Sequence, residues 1–207
     1  MLALLIFILA DPALAGTAVS IAFIGMAAVA LVVLTLCPFR PQMFWPGAVL
    51  LLVMAGAEAL VEMEVGLRWS SPLAYGATAA FTALAVVALL AYIMNSRPIT
   101  ADKVFAAVSA YVLIAVVFAT LFSLLQVNQP QAFHVHSTNE PDGNLDWSAL
   151  MYFSFTVLTS TGFGEITPTT HQARSLIVIE QVLGVMYVAF LIARLANMYQ
   201  EQRRGRR

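Results

Sequence analysis

Charged side chains are scarce in this chain. Of 207 residues, Lys, Arg, Asp and Glu make up 10%, while 61% are hydrophobic; a soluble domain carries about 25% charge. The shortage excludes an ordinary soluble fold, and the long uncharged runs identify an integral membrane protein. A net charge of −1 leaves no basic surface for a nucleic-acid partner. The single cysteine, Cys37, cannot form an intrachain disulfide or build a metal cluster. The opening stretch MLALLIFILADPALAG has an A-x-A but lacks the basic region a secretory signal needs. It is expected to form a short helix at 2–10, broken at Asp11 and Pro12. Residues 71–94 contain no Lys or Arg, which excludes a voltage sensor built on regularly spaced arginines in that span.

What is present is a series of apolar runs. A spanning helix needs ~20 such residues, and 15–36, 43–62, 71–94, 104–127 and 171–199 each qualify. The polar stretch 128–145 between the fourth and fifth lies outside the hydrocarbon. The fifth run is longer than a bilayer requires and is expected to tilt or project. If the spans alternate, Arg40, Arg97, Lys103 and the terminal RRGRR share one side. Glu62, Glu64, Glu140, Asp142 and Asp146 fall on the other, with Arg68 the base among them. By the positive-inside rule the basic side, and with it the C-terminus, is cytoplasmic, in a cell (inner) membrane. The three histidines then lie outside the spans and no G-x-S-x-G elbow occurs, so neither an enzymatic activity nor a small-molecule substrate is expected. The chain divides into an N-terminal helical region at 1–97, a second unit at 98–199 and a basic tail at 200–207.

The segment 146–158, DWSALMYFSFTVL, is apolar but too short to cross. Such a length indicates a re-entrant helix that enters the membrane and returns to the same side. Asp146 stands where an N-cap belongs, and Trp147 beside it suits the interface. The next residues, TSTGFGE at 159–165, are polar and glycine-rich. Unsatisfied backbone cannot face lipid, so this stretch must be buried in protein or line an aqueous route. Glycine adopts positive φ without steric cost. If Gly162 and Gly164 alternate in hand with their neighbours, successive carbonyls point one way and replace the water shell of a cation. The Ser160 hydroxyl adds an oxygen at the inner end, and the C-terminal end of the short helix favours positive charge there. One loop encloses nothing, so several copies around an axis are required. No second re-entrant loop is present, which argues against an inverted-repeat transporter.

The segment YFSFTVLTSTGFGEITPTTHQARSLIVIEQVLGVMYVAFLIARLANMY, 152–199, resembles the pore region of bacterial potassium channels, and the resemblance covers about 104–199. That family has two spans around a pore helix and a T-V-G-Y-G-D filter, followed by I-T-P and an inner helix. The resemblance implies an all-α, homotetrameric membrane protein: outer helix 104–127, turret 128–145, pore helix 146–158, filter 159–165 and inner helix 171–199; the apolar runs before it add three or four extra helices. It implies K+ as the permeant ion, held at Ser160, Thr161, Gly162 and Phe163, with Gly164 completing the filter, Glu165 at the outer mouth and no cofactor. The partners are further copies of the chain and membrane lipid. Phe163 departs from the family's tyrosine and loses a bracing hydroxyl. Thr161 departs from its valine: that hydroxyl needs a partner, Thr156 or water, and relaxed selectivity among monovalent cations stands as the alternative to potassium selectivity.

Other residues have two readings each. Glu180, inside the last span, is either a charge that tunes the filter or a hydrogen-bonding brace to the pore helix. Gly184, one turn on, is either a hinge or a small residue for close packing. Arg194 snorkels or pairs with a neighbour. Glu58, Glu62 and Glu64 form an interfacial cluster near Arg68. His134 and His136 have the look of a metal pair, but two ligands on a flexible turret are weak grounds from sequence.

Overall fold

The computed structural model describes residues 70–94, 101–136 and 145–204. The expected helix at 2–10, the spans at 15–36 and 43–62, Cys37 and the Glu58, Glu62, Glu64 and Arg68 cluster lie outside the described residues. The elements within them are α1 (Ser70–Met94), α2 (Ala101–Asn128), β1 (Phe133–Val135), α3 (Trp147–Leu158), β2 (Ile166–Pro168) and α4 (His171–Arg204). Three helices are long and apolar enough to cross a membrane, namely α1, α2 and α4. The fold of the described residues is therefore mostly helical and membrane-compatible.

Polar side chains inside the long helices satisfy themselves locally, as a lipid environment demands. Thr78 and Thr82 on α1 donate to the carbonyls four residues back, at 2.8 and 2.7 Å. Ser123 on α2 does the same to Ala119 at 3.0 Å. Helix α2 packs against α1 and α3, and its buried positions include Ala107, Ala110, Ala115 and Ala119. Small residues let helix backbones approach where lipid offers no hydrophobic incentive to associate.

The main core lies where α2, α3 and the strands meet. Phe122 is fully buried at its centre. Its ring lies 5.4 Å from Phe133 and 5.4 Å from Phe153, the first pair edge-on at 75°. Such tilted pairs suit the aromatic quadrupole. Leu150, Val157, Ile166 and Ala173 complete the cluster.

Two features differ from the sequence reading. The polar stretch expected as a turret contains a strand: β1 pairs antiparallel with β2 just beyond the loop 159–165, matching Phe133 to Pro168, His134 to Thr167 and Val135 to Ile166. The pairing joins residues more than thirty positions apart, and three-residue strands carry no periodic signal of their own. Helix α4 continues to Arg204, past the expected end at 199, so part of the basic tail is helical.

Candidate functional site

Helix α3 is short, capped and aimed. Asp146 is extended, and its carboxylate accepts from the Ala149 N–H at 2.8 Å and from the Ser148 hydroxyl. A cap of this kind contributes ~1 kcal/mol. At the other end, amides of the following loop turn back onto the helix. Thr159 N–H donates to Phe155 O at 3.1 Å, Ser160 N–H to Val157 O at 2.8 Å, and Thr161 and Gly162 N–H to Thr156 O at 2.8 and 3.2 Å. The Leu158 carbonyl accepts from the Tyr111 hydroxyl on α2 at 3.3 Å. The last carbonyls of α3, orphaned in a free helix, are thus taken up by the loop and by α2.

The loop itself alternates in hand. Ser160, Gly162 and Gly164 have φ of 57°, 55° and 82°, and Ser160 is the one non-glycine with positive φ among the described residues. Thr161 and Phe163 between them have ordinary negative φ. A left-handed L-residue costs roughly 1–2 kcal/mol, so Ser160 is held there by its surroundings. The sequence reading looked for this conformation only at the glycines; the spacing of 160, 162 and 164 is the signal that points to the serine.

The Thr161 hydroxyl lies 2.9 Å from that of Thr159, and the Thr156 hydroxyl, one of the two partners expected for it, donates to Phe153 O at 2.8 Å. Thr156 reaches the loop through its backbone carbonyl, which accepts the amides of Thr161 and Gly162. The reason is local: Thr156 lies within α3, where its hydroxyl falls beside the carbonyl one turn back. Phe163 stacks on Tyr152 of α3, with rings 6.2 Å apart and 2° from parallel. Both rings are exposed. Glu165 is exposed at the end of the loop, and its carbonyl accepts the His136 N–H at 2.7 Å, which pins the loop's exit to the turret strand.

Behind the loop, α4 supplies two contacts. Glu180 is fully buried, and its Oε1 is hydrogen-bonded to the Ser154 hydroxyl of α3. Ser154 Oγ also lies 2.8 Å from the Ala115 carbonyl of α2, so one serine links all three helices. Oε2 is buried with no hydrogen-bond partner among the described residues. Gly184 is buried against the end of α3: a Cβ there would stand 2.2 Å from the Leu158 carbonyl oxygen. That close approach, in a helix unbroken from His171 to Arg204, favours the packing reading of Gly184. Lower down, the Tyr187 hydroxyl donates to Ala107 O on α2, and Arg194 donates to Ile93 O at the end of α1, each at 2.6 Å. Arg194 therefore caps a helix terminus, where a cation is favoured.

A brace and a tuning charge respond differently to substitution. Glu180→Gln keeps the shape and the hydrogen bond to Ser154, whereas Glu180→Ala removes both. The alanine variant is expected to lose about 1–3 kcal/mol of stability, seen as a lower Tm of the purified full chain in micelles, and the glutamine variant much less. Equal damage from both would refute the brace.

No curated protein and no solved structure matches the chain. Residues 107–201, which contain most of α2, all of α3, the alternating loop and most of α4, match the family model described as “Ion channel”. Together with three helices of membrane-spanning length and composition, that match supports reading this segment as a membrane-embedded ion-channel domain.

Proposed function

We propose that the chain is one subunit of a homotetrameric, potassium-selective channel, with 159–165 as its filter. The observation that carries this reading is the alternation of φ sign from Ser160 to Gly164, with the amides of 160, 161 and 162 bonded back to α3. Alternating hands turn successive carbonyls to one side, and the amides already occupy the side facing α3. The carbonyls of Ser160 to Phe163, with the Ser160 hydroxyl, are then free to replace an ion's hydration shell. The protein's task is transfer of a dehydrated ion, with no bond chemistry, no small-molecule substrate and no nucleic acid.

The need for further copies follows from what a single chain leaves open. Val182, Val185, Met186 and Ile192 on α4 are exposed, as are Phe163 and Tyr152. Only 11% of the apolar window of α4 is buried, against 44% for α1 and 39% for α2. An inner helix so bare within its own chain suits a position at the contact between copies around an axis. By the positive-inside rule the β1–β2 ladder and Glu165 face outward and the C-terminus faces the cytoplasm of a cell (inner) membrane.

A second reading, weak selectivity among monovalent cations, is favoured by the Thr161 hydroxyl. It is exposed and bonded to Thr159 where the resembled family packs valine. Single-channel recording with K+ and Na+ on opposite faces tests both. A reversal potential near that of K+ supports the first reading, and Thr161→Val should leave it unmoved. A potential between the two ions that shifts toward K+ in Thr161→Val supports the second. Vesicles that remain tight to both ions would overturn the filter assignment.

A further inference from the structure

The turret strand puts two imidazoles side by side. His134 lies on β1, and His136 directly follows its last residue, Val135, and bonds through its N–H to the Glu165 carbonyl; two apart along extended chain, both project from one face. Their ring centres are 4.5 Å apart, and both are exposed. His134 is paired across the ladder with Thr167, which puts the Thr167 hydroxyl on the same face. That hydroxyl lies 3.2 Å from His136 Nε2 and donates to the His134 carbonyl at 3.5 Å. In the Nε2–H tautomer His136 donates to that oxygen and its Nδ1 lone pair is free. A histidine that donates one ring N–H to a fixed oxygen while offering the other nitrogen is the usual arrangement of a metal ligand.

The spacing lets both rings reach one ion: with a metal–nitrogen bond of about 2.1 Å, two cis imidazoles stand roughly this far apart. Among the divalent metals that imidazole suits, Cu2+ is bound most tightly. We propose that His134 and His136 form a two-imidazole site for a divalent transition-metal cation, Cu2+ foremost. Among the described residues no group of three or more His, Cys, Asp or Glu assembles, so within them the two imidazoles are the ligands.

The site is mechanically close to the filter. The His136 backbone N–H holds the Glu165 carbonyl at 2.7 Å, and Glu165 directly follows Gly164. A bound dication adds positive charge beside the mouth and stiffens the strand that anchors the loop. This consequence, lowered cation flux, rests on the proposed channel function; the metal site itself does not.

The test is titration of Cu2+ into the purified full chain in micelles, followed by electron paramagnetic resonance, beside potassium flux from vesicles with Cu2+ on the turret side. The expected result is one Cu2+ per chain with imidazole nitrogen couplings. Affinity should fall at least tenfold in His134→Ala and in His136→Ala, and about tenfold in Thr167→Val through loss of ring orientation. Absence of nitrogen-coupled Cu2+, or binding unchanged in the double alanine variant, overturns the site. Both histidines are exposed, so flux without metal should match the wild type in the histidine variants and serves as their folding control. Inhibition by Cu2+ in the wild type that disappears in the double variant supports coupling to the filter; full flux with Cu2+ bound overturns the coupling while leaving the site standing.

Discussion

In a chain that conducts as proposed, Gly184→Ala is expected to cut conduction at least about tenfold while leaving the helices formed. The added methyl would lie 2.2 Å from the Leu158 carbonyl oxygen and 3.0 Å from the Leu158 Cδ1. The side chain can rotate away; the carbonyl cannot, because it belongs to the last turn of α3 and accepts the Tyr111 hydroxyl. Relief requires α4 to shift from α3 or the end of α3 to move, and the proposed filter loop hangs from that end by the amides of Thr159 to Gly162. Overpacking of this kind costs about 1–3 kcal/mol or more, in every copy of the chain. A loss of at least about tenfold in potassium flux, the equivalent of ~1.4 kcal/mol, with unchanged far-ultraviolet circular dichroism, is the anticipated outcome. Normal flux in Gly184→Ala would show that the contact does not hold the filter in place.

Replacement of Gly162 or Gly164 by alanine should be comparably severe for a different reason. Nothing within the chain stands within 4 Å of a Cβ at either position, so space is not the obstacle. The obstacle is φ, at 55° and 82°, which costs an L-residue roughly 1–2 kcal/mol. If four loops share one pathway, the summed penalty is on the order of 4–8 kcal/mol by the same figure. That is enough to turn the loops to another conformation. D-alanine, introduced by semisynthesis, has the mirror preference and the same bulk. Conduction lost with L-alanine and retained with D-alanine would identify backbone hand as the requirement. Equal flux from the two would mean that the alternation at 160–164 plays no part in ion transfer.

The sequence made some of this visible and hid the rest for physical reasons. Helices α1, α2 and α4 are legible because lipid demands unbroken apolar runs, and the start of α3 is legible because Asp146 is a strong cap ahead of an apolar segment. The glycines announced a special backbone. Ser160 did not, because serine is common in every conformation and its positive φ is imposed by the amides bonded back to α3. For the Thr161 hydroxyl the sequence offered Thr156 or water; the nearby Thr159 hydroxyl was not considered, since sequence spacing does not show that the Thr156 hydroxyl has already turned to the carbonyl of Phe153. The β1–β2 ladder was missed because each strand is three residues long and gains its stability from a distant partner. With the strand went the geometry that makes His134 and His136 more than two residues on a turret. Arg194 read as snorkelling or pairing with a neighbour; its acceptor is the main-chain carbonyl of Ile93, and backbone carbonyls leave no mark in a sequence.

The two bonds at the lower end of α4 constrain how it can move. Tyr187 holds Ala107 on α2 and Arg194 holds Ile93 on α1, both beyond Gly184 toward the C-terminus. Any outward swing of that end must either break them or push the tips of α1 and α2 sideways with it. In the second case the molecule occupies more area in one leaflet than in the other, and lateral pressure from the surrounding bilayer then does work on the transition.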